Sequence, residues 1–246
     1  MIYITGDTHG NFRRFAPKYF PKGQTLCRED TVIVCGDFGI WDESAESNGW
    51  LDWLESQPFT TLFIDGNHEN FDLLNRLPTT IWHGGNVHRV REHILHLMRG
   101  QVFEIGGLTF FTMGGAASHD IGAGILEPNQ PDFLERKQLL DRHRAPYRIN
   151  HISWWREEMP CDAEYEEALR NLEKANWSVD CILSHCAPDS IVPKVCRRYE
   201  PDRLSVFLQQ IKERCYFDYW FFGHYHDNCV IEERFILQWE QMIEIR

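Results

Sequence analysis

Thr31-Val32-Ile33-Val34-Cys35-Gly36-Asp37 is the stretch on which the fold turns. Five β-branched or apolar residues in succession stop at Gly-Asp. An apolar run this short, bounded by turn residues, predicts a buried strand. Two similar runs flank it. Ile2–Thr5 enters Gly6-Asp7, and 61–64 enters Asp65-Gly66-Asn67. The polar segments between the runs are long enough for crossover helices, with 47–55 and 71–77 as candidates. A βαβαβ order implies parallel strands with right-handed crossovers, which places the chain in the α/β class.

Further along, 94–98, Gln101–Ile105 and Leu108–Met113 read as three close strands. Arg99-Gly100 and Gly106-Gly107 stand between them as expected hairpin turns. Residues 114–160 carry the weakest periodicity and read as a long loop or partly helical insert. Loops of that length in compact domains are usually functional or mobile. Helices are predicted over 162–175 and 204–213, from apolar positions at helical spacing. Strands are predicted over 180–184 and Tyr219–Phe222, and a hairpin over 230–232 and 234–239 closes the chain. No repeat, low-complexity segment or linker interrupts it, so one domain over 1–246 is expected.

Every strong strand ends in residues able to hold a metal. The first gives Asp7 and His9, the second Asp37, the third Asn67, His68 and Glu69. The strand over 180–184 gives His185, and Tyr219–Phe222 gives His224 and His226. Open α/β sheets bind ligands beyond the carboxyl ends of their strands. Carboxylate, imidazole and amide donors together suit Mn, Fe, Zn, Ni or Co. Seven such donors are too many for one tetrahedral ion with an open position, and they divide between two ions if one carboxylate bridges. Two neighbouring ions can clamp a phosphoryl group and generate hydroxide near neutral pH.

Composition narrows the partners. The chain has 246 residues, with 25 Lys+Arg against 37 Asp+Glu, a formal charge of −12. Nucleic-acid affinity rests on neutralising phosphates with Lys and Arg, so no extended nucleic-acid surface is expected. No apolar run approaches a membrane span. The start of the chain carries no basic, apolar leader, and the eight cysteines form no Cys-x-x-Cys pair, so reduced thiols and a cytoplasmic location are expected.

Asp7-x-His9, Gly36-Asp37, Gly66-Asn67-His68-Glu69, His185 and Gly223-His224-x-His226 together resemble the calcineurin-like metallophosphoesterase family. The blocks stand in family order and span residues 7 to 226. The resemblance implies a four-layer αββα sandwich with a dinuclear metal site at one strand edge. It implies hydrolysis of a phosphomonoester or phosphodiester by in-line attack of a metal-bridging hydroxide. Carried over by position, the first ion takes Asp7, His9, Asp37 and His226. The second takes Asp37, Asn67, His185 and His224, with Asp37 as the bridge. Mn²⁺ is the first expectation, with Fe, Zn, Ni or Co as alternatives. Asn67 and His68 would touch the substrate phosphate, and His68 would protonate the leaving oxygen.

One departure bears on substrate. Protein Ser/Thr phosphatases of the family carry Asp-Arg-Gly soon after Gly-Asp, whereas here the stretch is Gly36-Asp37-Phe38-Gly39-Ile40-Trp41-Asp42. Arg13, Arg148 or Arg156 would have to supply a cationic clamp. The stretches 112–120 and 153–158 look like a bacterial or phage-borne subgroup. A small phosphate ester is the expected substrate. Two other readings compete: a nuclease of the same family, and a non-catalytic metal-binding scaffold of the same fold.

The remaining signals have plainer readings. His83, His88, His93, His96, His143 and His151 show no ligand spacing and read as surface or structural. His119, in the Gly-rich stretch, is placed where it could approach substrate, though a plain loop role is favoured. Cys186 reads as buried rather than ligating. Trp154-Trp155 reads as an anchor for the insert, with stacking on an aromatic leaving group as the alternative. The acidic runs 157–158 and 164–167 read as a solvated helix face.

Overall fold

The protein was described from a computed structural model, covering residues 1–39, 42–197 and 200–245. Ile40 and Trp41, part of the stretch that departs from Asp-Arg-Gly, lie outside the described residues.

The three apolar runs form strands at Ile2–Thr5, Thr31–Cys35 and Thr60–Ile64. They pair in parallel, Ile4 opposite Ile33 and Ile33 opposite Leu62. The seven-stranded sheet runs in the order Ile243–Glu244, Ile2–Thr5, Thr31–Cys35, Thr60–Ile64, Ile94–Leu97, Gly85–Arg91, Thr79–Trp82. The second sheet has six strands, in the order Cys229–Ile231, Phe235–Leu237, Tyr219–Phe222, Cys181–Ser184, Leu108–Met113, Gln101–Ile105.

Side chains alternate across each strand. Ile2, Ile4, Ile33, Leu62 and Ile64 meet Phe103, Phe110, Leu183 and Phe221 in a buried layer between the sheets. The opposite set, Tyr3, Val32, Val34 and Phe63, packs outward on Leu51 and Leu54 of the helix Ala45–Glu55. On the far side, Phe111, Ile182, Trp220 and Phe222 pack on Ala168 and Leu172 of the helix Asp162–Lys174, and on Leu208 and Ile211 of the helix Arg203–Arg214. The layers are therefore helix, sheet, sheet, helix, as expected. This burial explains why both faces of the central strands are apolar and why they read as continuous runs.

The structure corrects the sequence reading in three places. Arg99-Gly100 is not a hairpin turn: Ile94–Leu97 pairs with Thr60–Ile64 in one sheet, while Gln101–Ile105 pairs with Leu108–Met113 in the other. The dipeptide is the crossing between sheets, and Arg99 is drawn inward by Asp65. Gly106-Gly107 does turn a hairpin, with Ile105 opposite Leu108. A hairpin of Thr79–Trp82 and Gly85–Arg91 was not anticipated, because its mixed polar and apolar residues follow partial exposure at the sheet edge. The crossover between the first two strands uses short 3₁₀ turns, Phe12–Phe15 and Pro21–Thr25, in place of an α-helix.

The segment 114–160 holds a two-stranded pair, Ile125–Leu126 with Arg148–Ile149, and the helix Phe133–His143. That helix has no buried residue. Trp155 anchors the segment, buried among the aromatic residues of the first sheet's outer layer, with its Nε1 donating to Asp72 at 2.7 Å. Among the described residues no disulfide forms, and no helix is long and apolar enough to cross a membrane.

Candidate metal centre

The loops that leave the strand ends are stitched together by their own backbones. The Asp37 carbonyl accepts the N–H groups of Thr8 and His9, at 3.1 and 2.7 Å. Gly10 N–H reaches the Phe38 carbonyl at 2.9 Å. The buried Glu69 carboxylate accepts from Phe38 N–H at 2.6 Å and from Gly39 N–H at 3.2 Å. Burial and the neighbouring Asp37 charge push its pKa up to about 8. Glu69, quoted in the sequence only as part of its motif, therefore acts as a clamp between the second and third loops.

Two glycines let carboxylates approach the backbone. A Cβ on Gly66 would overlap Asp37 Oδ1, and one on Gly223 would overlap Asp7 Oδ1. Only a residue without a side chain leaves that room. Backbone strain is concentrated here too. His9, Asp37, His224 and His226 all have positive φ, at 46, 47, 70 and 49°. Non-glycine residues in that region cost of order 1–3 kcal/mol each and persist where the surroundings over-determine them.

Asp7, Asp37, Asn67 and His185 are buried. His68 and His224 are half-buried, and His9 and His226 are exposed. At one end, His226 Nε2 lies 3.1 Å from Asp7 Oδ2 and 3.0 Å from His9 Nε2. His9 Nε2 is 3.8 Å from Asp37 Oδ2. At the other end, His185 Nε2 is 3.3 Å from the same Asp37 oxygen. Asp37 thus stands between the two imidazole groups. Its other oxygen accepts from His68 N–H at 2.8 Å. The ring of His224 lies 5.0 Å from that of His185. His224 and His226 leave the strand in left-handed turns and diverge, one towards His185 and the other towards His9. Their spacing of two serves the two ends of the site rather than one strand face.

Whether these residues suit a cation is answered by atoms without partners. Asn67 Oδ1 and His185 Nε2 are buried and make no hydrogen bond, the nearby Asp37 oxygen lying outside hydrogen-bonding geometry for His185. A buried polar atom left so costs about 1–3 kcal/mol. Both residues are oriented by their other polar atoms. His185 Nδ1–H donates to the Cys35 carbonyl at 2.8 Å, which turns Nε2 towards Asp37 as the atom a cation would bind in place of its proton. Asn67 Nδ2 donates to Ser118 Oγ at 3.2 Å, which turns Oδ1 the other way. Asp7, His9 and His226 form one set of three converging donors, and Asp7, Asp37 and His185 a second set that shares Asp7.

The charges agree. Burial pulls the His185 pKa down, but Asp37 and Asp7 outweigh it and hold it at about 10. Burial pushes Asp37 up, and the imidazoles of His185, His68 and His9 overcome that and hold its carboxyl below the usual range. This cluster of carboxylates stabilises positive charge among the histidines. Divalent cations satisfy the same demand.

Several supporting residues were invisible in the sequence. Arg14 donates through Nη2 to the Asp7 carbonyl at 2.7 Å and through Nη1 to Thr5 Oγ1 at 2.9 Å. Trp239 stacks on the His226 ring at 5.3 Å and 17°. Glu158, read as part of a solvated face, is buried. It accepts from Ser118 N–H at 2.9 Å and from Ser118 Oγ–H at 2.6 Å. The run misled because Glu157 is exposed and only the next residue turns in. Cys186 is buried, as expected. Of the three arginines considered as a clamp, Arg148 acts electrostatically on His68, and it is paired with Asp120.

No individual curated protein matches the chain. The family profile of the calcineurin-like phosphoesterases matches residues 1–228. That family implies metal-dependent hydrolysis of phosphoesters, and the donors described above give such a metal a place to bind. On a match that covers nearly the whole sequence, the chain belongs to the calcineurin-like phosphoesterases.

Proposed function

We propose that this chain is a phosphoesterase holding two divalent ions, and that it acts on a small phosphate ester. Asp7, His9, Asp37 and His226 would hold one ion. Asp37, Asn67, His185 and His224 would hold the other, with Asp37 shared. The observation that carries this is the pair of buried donor atoms that make no hydrogen bond, Asn67 Oδ1 and His185 Nε2, the latter 3.3 Å from Asp37. When bound, a pair of divalent ions lowers the pKa of water enough to supply hydroxide near neutral pH, and it neutralises charge on the phosphoryl oxygens. Mn²⁺ suits oxygen and imidazole donors of this kind.

The chain's own residues would do the rest. His68 has its backbone tied to Asp37 and its ring 5.5 Å from that of His9, so it stands over the shared carboxylate. From there it would bind the phosphate with Asn67 and give a proton to the leaving oxygen. Burial lowers its pKa, with Arg148 adding to that, while Asp37 pulls the other way. Arg148 is the cation nearest in effect, and its pairing with Asp120 leaves little charge for a polyanion. That pairing and the formal charge of −12 favour a small substrate over a nucleic-acid strand.

The test is a hydrolysis screen with Mn²⁺, comparing p-nitrophenyl phosphate, bis-p-nitrophenyl phosphate and cyclic nucleotides. Turnover of an ester that EDTA abolishes is expected. No turnover of any ester by protein shown to hold two ions would favour the non-catalytic scaffold.

A further inference from the structure

Beyond the seven donors, the structure brings an eighth side chain against one of them. The segment that leaves Leu108–Met113 carries His119 to His224. Their Nε2 atoms stand 2.8 Å apart, with ring centroids at 4.8 Å. A neutral histidine pair can share one proton across such a gap. The same juxtaposition occurs at the other end of the site, where His9 and His226 place their Nε2 atoms 3.0 Å apart beside Asp7. With metal–nitrogen bonds of about 2.0–2.1 Å, two ligands at right angles on one ion stand roughly 3 Å apart. Both pairs have that spacing.

The position of His119 is built in. Ser118, the residue before it, is held by both Glu158 oxygens and receives the Asn67 amide. Gly115 N–H donates to the Asp65 carbonyl at 2.9 Å, so the start of the segment is tied to the end of the third strand. The backbone leading to His119 is therefore fixed to Asn67, the residue assigned to the same ion as His224.

We infer that His119 is a further protein ligand of the ion held by Asp37, Asn67, His185 and His224. This rests on the two-ion reading. Five protein donors and one open position make a six-coordinate site. Such a site favours Mn, Fe, Co or Ni and disfavours zinc, which prefers four donors. The two ends would then differ in metal preference, with His119 as the cause.

The test uses metal-free full-length protein titrated with Co²⁺, followed by visible absorption and chelator competition. The wild type is expected to bind two ions. His119→Ala is expected to bind one of the two ions about tenfold or more less tightly, in line with lost support at metal sites. Its Co²⁺ bands are expected to strengthen as the coordination number falls. His143→Ala, on the exposed helix, should change neither. Equal melting temperatures of the metal-free wild type and His119→Ala would show that the fold is intact. If they differ, His119→Gln, which keeps a polar side chain of similar reach, takes its place. Unchanged affinity and spectrum, with two ions bound, would overturn the assignment of His119 and leave the two-ion reading standing. A change confined to KM would do the same, moving His119 to the substrate. A wild type that binds only one ion would overturn both.

Discussion

Asn67 donates its side-chain amide to Ser118 Oγ across 51 residues of chain, and the Ser118 hydroxyl donates in turn to Glu158. A proposed ligand is thereby aimed by the two ends of the 114–160 segment. Ser118→Ala should free the amide to rotate and leave Glu158 with unused acceptors. We expect the affinity of one ion to fall about 10–100-fold, as when outer partners of metal ligands are removed. We also expect a stability loss of about 1–3 kcal/mol from the Glu158 oxygen left without its hydroxyl donor. Mn²⁺ titration and urea unfolding read the two effects separately, and full retention of both would contradict the orienting role.

Asp37 lies between His9 and His185, within 3.8 and 3.3 Å of their Nε2 atoms. If it is shared, Asp37→Ala should lose both ions, whereas His226→Ala should lose only the one at the Asp7 end. Elemental analysis of the purified variants gives ions per chain. Two ions retained by Asp37→Ala would rule out its role as the bridge.

His68 is held over the same carboxylate without being among the proposed ligands. His68→Ala should keep its metal and lose turnover by about 10²–10⁴-fold. The loss should be greatest for esters with poor leaving groups, which need the proton most. Equal rates for wild type and variant on a poor leaving group would exclude proton donation by His68.

How much of this could be read from the sequence follows from where each interaction is local. The strand Thr31–Cys35 and its Gly36-Asp37 end were legible because burial on both faces leaves an unbroken apolar run, and the candidate ligand follows it directly. The places of Asp7, Asn67, His185 and His224 just beyond strand ends were legible for the same reason. Glu158 and Arg99 were not. Each is a charged residue in a polar stretch, and its burial depends on a partner far away in the chain: Ser118 for one, Asp65 for the other. The hairpin of Thr79–Trp82 and Gly85–Arg91 was missed because partial exposure at the sheet edge mixes polar and apolar residues along it. His119 carries no signal of its own, since its partner His224 stands 105 residues later.

The buried pair His88 and His96 gives a prediction about stability. The pair faces Nδ1 to Nδ1 at 3.1 Å, and His96 Nε2–H is satisfied by Asp65 Oδ1 at 3.0 Å. At this contact a proton on one ring disfavours a proton on the other. Burial lowers the His88 pKa to about 4, and the His96 charge adds to that. Between the ordinary value of about 6.5 and about 4 the unfolded chain takes up a proton at this position that the folded chain refuses. The stabilising contribution is therefore complete above pH 6.5 and is lost as the pH falls to about 4. Its size is at most about 3 kcal/mol. His88→Gln removes the titration, so its urea midpoint should fall less steeply than that of the wild type across this window. Parallel midpoints from pH 6.5 to 4 would show that His88 is not the group that weakens the fold in mild acid.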